Sequence, residues 1–302
     1  MATMGIRIAA LLCAAALALA ACSNDAESPE GQTADSATSE EASTSEEPSP
    51  EASPAETSAE TSTDDDTNTV SFQVWFADGK KLAPAVATVE STPRIGSASL
   101  EALIEGPAGA GNLTSAIPAG STVHSLNIEG GTATVDLSSE FESGSGIPSM
   151  GMRLGQLTFT LTQFPTVKRV VLELDGVRVK KFSKEGLVVE NPFTRADFED
   201  ISPAIIVNRP LGETEVASPV TVSGTANVFE ANVLIRIVGS DDEVLAETFT
   251  TATCGTGCRG KFSEAVEFDV EEPTEATIQV YEESAESGKP INMIEVPVTL
   301  VP

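Results

Sequence analysis

The sequence predicts two folded domains in succession. The first is an α/β (α+β) domain with two helices on a small sheet, and the second an all-β antiparallel sandwich. Three observations carry this. Alternation of period two begins abruptly at Val70, Phe72, Val74 and Phe76, after a long stretch without it. Two segments of helical spacing then interrupt the strands, at Leu100, Leu103 and Ile104 and at Met150, Leu154, Leu157, Leu161 and Phe164. Beyond about residue 200 helical spacing does not recur, and short strand-like runs alternate with turn residues.

The chain opens with a short segment carrying Arg7, then an apolar run from Ile8 that is too short for a comfortable bilayer span and ends in Leu19-Ala20-Ala21-Cys22. No basic stop-transfer cluster follows; the next charges are acidic. Residues 1–21 therefore read as a signal peptide. The tetrapeptide resembles the lipobox of bacterial lipoproteins, with Leu19 at the branched position, Ala20 and Ala21 as the small pair and Cys22 as the acceptor. The resemblance implies lipidation of Cys22, which becomes the mature N-terminus, and anchoring on the extracytoplasmic face of the cell membrane.

Residues 22–69 read as a tether. From residue 23 to 69 there are 14 acids, no base, no aromatic residue and no valine, leucine or isoleucine. Such a segment has nothing to bury against the entropy of ordering its backbone, and its like charges repel one another. The whole chain, 302 residues with a formal charge of −29, is too acidic for nucleic acid, whose phosphates would repel it. Anchoring to an anionic membrane then falls to the lipid and not to charge.

Residues 70–200 form the first domain. The strand around Phe72 reads as half-buried, with Trp75 facing away from its neighbours, and Asp78-Gly79 ends it. Residues 86–89 give a weaker strand, and Gly106-Pro107 stops the first helix. Glu129-Gly130-Gly131 lies between two alternating runs and reads as a hairpin turn. Pro165 ends the second helix, and a strand from Val167 runs to the turn Asp175-Gly176. In this order, Leu100-Glu101-Ala102-Leu103-Ile104-Glu105-Gly106-Pro107, Ile117-Pro118-Ala119-Gly120, Ala133-Thr134-Val135-Asp136-Leu137-Ser138, Thr160-Leu161-Thr162-Gln163-Phe164 and Leu174-Asp175-Gly176 resemble the GerMN domain of spore-germination proteins. The resemblance implies a small α/β domain related to ring-building modules, without established catalytic residues. Asp136 has no partner acid or base at a readable spacing, so it reads as structural or solvated. His124, the only histidine, reads as lying on the polar side of a strand.

Residues 201–302 form the second domain, with seven short strands expected and Pro219, Pro297 and Pro302 at strand starts or edges. Asn208-Arg209-Pro210, Ser218-Pro219-Val220-Thr221-Val222-Ser223-Gly224-Thr225-Ala226, Phe229-Glu230-Ala231-Asn232-Val233 and Gly257-Cys258-Arg259-Gly260-Lys261-Phe262 resemble Gmad2, the immunoglobulin-like domain that often follows GerMN in bacterial lipoproteins. With Cys13 in the signal and Cys22 lipidated, Cys254 and Cys258 remain as one pair in an oxidising compartment. Zinc needs further thiolates or imidazoles, and a redox pair has two intervening residues and a helix, so a disulfide that shapes a loop is expected.

These features select a function class. A single histidine leaves no room for more than one histidine-based centre, and no Walker or dinucleotide loop occurs. The expectation is a lipid-anchored, non-catalytic binding or scaffolding protein of the cell envelope, without cofactor or metal, whose partners are envelope proteins or cell-wall glycan. An enzyme of cell-wall turnover, or an accessory subunit of one, is the alternative. Arg259 and Lys261, in the end loop of the sandwich, form a small basic spot on an acidic protein and are the candidate contact surface.

Overall fold

The computed structural model describes residues 68–107, 109, 111–144, 146–182, 187–188 and 192–302; the expected signal peptide, the tether and the lipidation site Cys22 lie outside them. The described residues all fall within one compact unit. Among the described residues, no helix is long and apolar enough to cross a membrane.

In the first domain, β1 (Thr69–Asp78) and β2 (Lys81–Glu90) make a long antiparallel hairpin with Phe72 opposite Ala87 and Trp75 opposite Pro84. The second strand thus begins directly after the Gly79 turn, earlier than the apolar pattern suggested. Helix α1 (Ile95–Glu105) follows, then the hairpin β3 (Val123–Glu129) and β4 (Thr132–Leu137), whose turn holds Gly130 and Gly131 at φ of 56° and 78°. That left-handed pair is the conformation a two-residue hairpin loop demands. Helix α2 (Ile147–Leu161) carries the chain over to β5 (Arg169–Leu174), which pairs parallel to β4, as a helical crossover requires. The two-residue strand β6 (Val177–Arg178) completes the sheet order β3-β4-β5-β6, and β7 (Lys181–Phe182) pairs with β8 (Leu187–Val188). Phe72, Val74 and Phe76 pack with Leu100, Leu103, Val135, Leu154, Leu157 and Leu161 in one core.

Helix α2 stops at Leu161, short of Phe164, because the residue before Pro165 is disfavoured in helical conformation. Phe164 still packs edge-on against Phe72, with ring centroids 6.5 Å apart. The helix is buried almost all round, not along one stripe. Gln156 and Thr160 on the helix, and Gln163 just after it, recur at helical spacing and cap the edge of β1 that β2 leaves free. The Thr160 hydroxyl accepts the Trp75 N–H at 3.0 Å, and Gln163 Oε1 accepts the Gln73 N–H at 2.8 Å. Gln156 donates to the Trp75 carbonyl at 3.2 Å and accepts from the Ala116 N–H at 2.8 Å.

The expectation of a half-buried β1 needs correction: Phe72 through Ala77 are buried on both faces. Trp75, fully buried, and Ala77 lie in a separate cluster with Leu82, Met152, Phe159 and Ile206, the last from the second domain. The alternation is real, but the face read as solvent-directed is the domain junction.

The second domain contains eight strands where seven were expected. They are β9 (Ile205–Arg209), β10 (Thr214–Ala217), β11 (Val220–Ala226), β12 (Asn232–Gly239), β13 (Val244–Thr251), β14 (Gly260–Val266), β15 (Thr274–Glu283) and β16 (Pro290–Val301). A five-stranded sheet, β10-β16-β15-β12-β13, faces a three-stranded one, β14-β11-β9. Val222, Ile235, Ile237, Ile278, Val280 and Leu300 fill the space between. Strand β10, too short to show alternation, pairs parallel to β16, so the sandwich is not wholly antiparallel. Pro297 sits inside β16, opposite Thr277, and not at an edge. Its carbonyl accepts the Glu213 N–H on the β10 side. Because N–H and C=O of a strand residue point the same way, the missing N–H also faces that side, and the β15 ladder loses nothing.

Candidate functional site

The loop from residue 252 to 259 joins β13 to β14 at the end of the sandwich next to the first domain. Cys254 and Cys258 lie with Cα atoms 5.7 Å apart and their sulfurs at bonding distance. The loop they enclose is bound to residues 227–231: Thr256 donates its N–H to the Val228 carbonyl at 2.9 Å, and Gly257 donates to Asn227 Oδ1 at 2.9 Å. The Thr256 hydroxyl in turn accepts the Glu230 N–H at 3.1 Å. Glu230 and Ala231 both adopt positive φ, at 54° and 59°, a conformation non-glycine residues hold only when their surroundings fix it. Gly255 lies so close that a Cβ there would fall 2.4 Å from the Ala231 nitrogen.

Arg259 is not part of an exposed basic spot. Its side chain is 16% exposed, and its Nη2 lies 2.9 Å from Glu199 Oε1. Nε donates to Glu199 Oε2 at 2.9 Å, while Nη2 and Nη1 reach the carbonyls of Pro203 at 2.7 Å and Ala204 at 3.3 Å. Asn227 Nδ2 donates to the same Glu199 at 3.0 Å. The side chain is long enough to lie back over the connection between the domains, where a carboxylate and two carbonyls compete successfully with water. Lys261, one position into β14, stays exposed. The pair expected to act together is therefore divided between a structural latch and an open surface.

Lys81, on β2, extends the latch by donating to the carbonyls of Asp200 and Ser202, both at 3.0 Å. Gln73 Nε2 donates to the Val207 carbonyl at 2.9 Å, tying β1 to β9. Arg195, in the short 3₁₀ segment Arg195–Ile201, places its guanidinium 4.7 Å from the Phe159 ring centroid and 5.7 Å from that of Trp75. Burial, and secondarily the charge of Arg259, pulls its pKa down to about 10, so it remains protonated at neutral pH. Burial alone would raise the Glu199 pKa. The hydrogen bonds from Arg259 and Asn227 and the charges of Arg259 and Lys81 outweigh it and hold the carboxyl below its ordinary range. Beside this latch lies a recess of about 710 Å³ lined by Asp78, Lys81, Glu199, Arg259 and Asn292.

The second group of polar residues sits on the first domain. His124 interrupts the regular register of β3 with β4, and its Nδ1 lies 3.7 Å from Asp136 and 3.8 Å from Asp175. Asp136 therefore has an acid–base neighbour that linear spacing concealed. Its Oδ1 accepts the Gly176 N–H at 2.9 Å, which pins the turn at Asp175 and Gly176. Both of its contacts make it a structural residue of the sheet end. Among the described residues, no group of three or more His, Cys, Asp or Glu side chains is placed to hold a metal ion.

With this geometry in place, comparison with known proteins supplies the family context. Residues 73–180 match the Germane model, described as "sporulation and spore germination". Residues 204–289 match the Gmad2 model, described as "immunoglobulin-like domain of bacterial spore germination". No curated protein sequence matches the chain. Among solved structures, the chain is similar to the tandem GerMN domains of the sporulation protein GerM from Bacillus subtilis. That likeness is 18% identity over 77% of this chain and 60% of that one, with a TM-score of 0.40. It is also similar to the first GerMN domain of the same protein, at 25% identity over 42% of this chain and 99% of that one, with a TM-score of 0.37. The chain spans 60% of the length of the tandem-domain protein. A non-catalytic binding or scaffolding role is typical of the two matched domain types. The chain thus carries a GerMN-type domain followed by a Gmad2 immunoglobulin-like domain, both sporulation- and germination-associated.

Proposed function

We propose that this protein is a lipid-anchored, extracytoplasmic scaffold whose two domains present one fixed surface to other components of the cell envelope. The observation that carries the reading is the junction: Ile206 inserted among Trp75, Leu82 and Phe159, the Glu199–Arg259 ion pair across the connection, and the Gln73–Val207 hydrogen bond. A buried apolar contact reinforced by charged hydrogen bonds resists hinge motion more than a polar, wet interface does. A partner touching both domains then meets a surface that costs little entropy to order. Leu19-Ala20-Ala21-Cys22 supports the lipid anchor, and residues 23–69 support a spacer between membrane and scaffold. The excess of 32 acids over 16 bases from residue 70 onward favours a basic partner surface.

Two measurements test this. Intact mass of the membrane-extracted protein should exceed that of the polypeptide from Cys22 by acyl groups, and Cys22→Ala should abolish the increment. The extracted chain is also incubated with isolated cell wall, alongside crosslinking in cells. Crosslinked envelope partners without release of soluble wall fragments are expected. Reproducible release of muropeptides, lost on replacing a single Asp or Glu, would establish the turnover enzyme instead.

A further inference from the structure

The geometry points to the outer edge of β13 as a strand-addition site for an extended, basic segment of a partner protein, an inference that rests on the binding reading and gives it a location. The sandwich has four edge strands among the described residues, β9, β10, β13 and β14. An edge strand exposes unpaired main-chain N–H and C=O groups, and proteins usually protect it with prolines, lysines, shortness or cover. Strand β10 has only four residues. Strand β9 lies between Pro203 and Pro210, and its Val207 carbonyl already accepts Gln73 from the first domain. Strand β14 displays Lys261. Strand β13 reads Val244-Leu245-Ala246-Glu247-Thr248-Phe249-Thr250-Thr251, eight residues without proline, glycine, lysine or arginine, and it ends the five-stranded sheet. It carries no proline or lysine, its one register irregularity against β12 falls at Leu245 and leaves Ala246–Thr251 in regular pairing, and its valine, threonines and phenylalanine have high strand propensity.

The outer face beside this edge has a definite chemistry. Phe249 is 66% exposed and Val244 49%, among the most open large apolar side chains of the described residues. Phe249 lies in register with Leu234, and Leu234 with Tyr281, giving an apolar row across three strands that begins at the free edge. The next row on the same face runs Glu247, Arg236, Gln279, Glu295. Its one cation is already engaged: the Arg236 guanidinium sits 5.3 Å over the Tyr281 ring and donates twice to Gln279 Oε1, at 3.0 and 2.7 Å. Glu247 accepts the Tyr281 hydroxyl at 3.2 Å and remains exposed. Further along, Glu215 and Glu275 flank Thr299.

Period-two geometry turns these positions into a specification. A strand laid along β13 with an apolar side chain beside Phe249 places its side chain two residues away beside Glu247, where a lysine or arginine is favoured. Main-chain hydrogen bonds supply affinity, and the alternating positions supply selectivity. Charge decides among the possible occupants. A second copy of the chain brings another acidic face, and residues 23–69 bring 14 acids and no base, so both are repelled.

The test uses the full chain and three synthetic peptides: alternating Lys and Val, the same residues in two blocks, and alternating Glu and Val. The alternating Lys/Val peptide should slow amide exchange of residues 244–251 at least tenfold, and the other two should not. Phe249→Ser should weaken its binding at least tenfold with the melting temperature unchanged, because that side chain is exposed; Glu247→Lys should weaken it about fivefold, with Glu247→Gln, which keeps an acceptor for the Tyr281 hydroxyl, separating the charge from that hydrogen bond. Equal binding of the block peptide, protection confined to another strand, or no binding at millimolar concentration overturns the inference. So does a dimer whose β13 amides are protected without peptide. If Phe249→Ser leaves partner crosslinking in cells intact, the edge assignment fails and the scaffold reading stands. If the parent chain crosslinks to nothing, the scaffold reading itself fails.

Discussion

Replacing Arg259 by alanine tests the junction most directly. The guanidinium makes three contacts of 3.2 Å or less with Glu199 and two with the carbonyls of Pro203 and Ala204. A buried hydrogen bond to a charged group is worth about 1.5–3 kcal/mol, and losing a partner also leaves the other group unsatisfied. The Glu199 side chain is 36% exposed and recovers part of its hydration, so the two carbonyls account for most of the loss. The expected cost for Arg259→Ala is about 2–3 kcal/mol in urea unfolding. In a cycle with Glu199→Ala the coupling should be about 1–2 kcal/mol. The pH dependence follows from the depressed Glu199 pKa. Its contribution is fully present above the ordinary carboxylate value of 4.5 and is lost as pH falls from there through the lower folded value. In the Arg259→Ala protein that loss should shrink. An Arg259→Ala protein within about 0.5 kcal/mol of the parent, with no coupling to Glu199, would refute the latch and return Arg259 to the surface.

Other perturbations probe other parts of the fold. Gln156→Leu keeps the volume but removes the partners of the Trp75 carbonyl and the Ala116 N–H; it should cost about 2–4 kcal/mol, read by thermal melting. Cys254→Ser with Cys258→Ser should cost at most about 2 kcal/mol by loop entropy, with hydrogen exchange accelerating at residues 227–231 more than elsewhere. Gly224→Ala would set a Cβ 1.9 Å from the Ile206 carbonyl oxygen, so the backbone must move; a loss above about 3 kcal/mol is expected in the second domain, seen by tryptophan-independent circular dichroism.

The elements were legible in the sequence where one physical cause dominated. Alternation at Phe72, Val74 and Phe76 marked β1, and adjacent glycines at Gly130 and Gly131 marked the hairpin turn, because each needs only local geometry. The burial of Trp75 was not legible, since its covering residue Ile206 belongs to another domain and nothing local separates such a face from a wet one. The edge-capping role of Gln156, Thr160 and Gln163 had a signal, a polar stripe on a helix and the turn after it. Such a stripe looks like an ordinary solvated face until the rest of the helix is seen to be buried.

Arg259 was misplaced for a related reason. Counting charges on an acidic protein makes a lone cation conspicuous and suggests an exposed contact, yet the same imbalance makes an internal carboxylate its nearest competitor for that cation. Glu199 wins because the fold already places it beside Arg259 and Asn227 holds it there, so pairing costs it little further entropy, whereas an external partner must also be immobilised. The competition for cations runs the other way at β13. There the cation Arg236 is committed to Gln279 and Tyr281, no strand among the described residues is hydrogen-bonded to the outer edge of β13, and Glu247 is exposed near Phe249. On a protein this acidic, the place for a partner is where internal cations are already engaged and a carboxylate still lies open next to apolar surface.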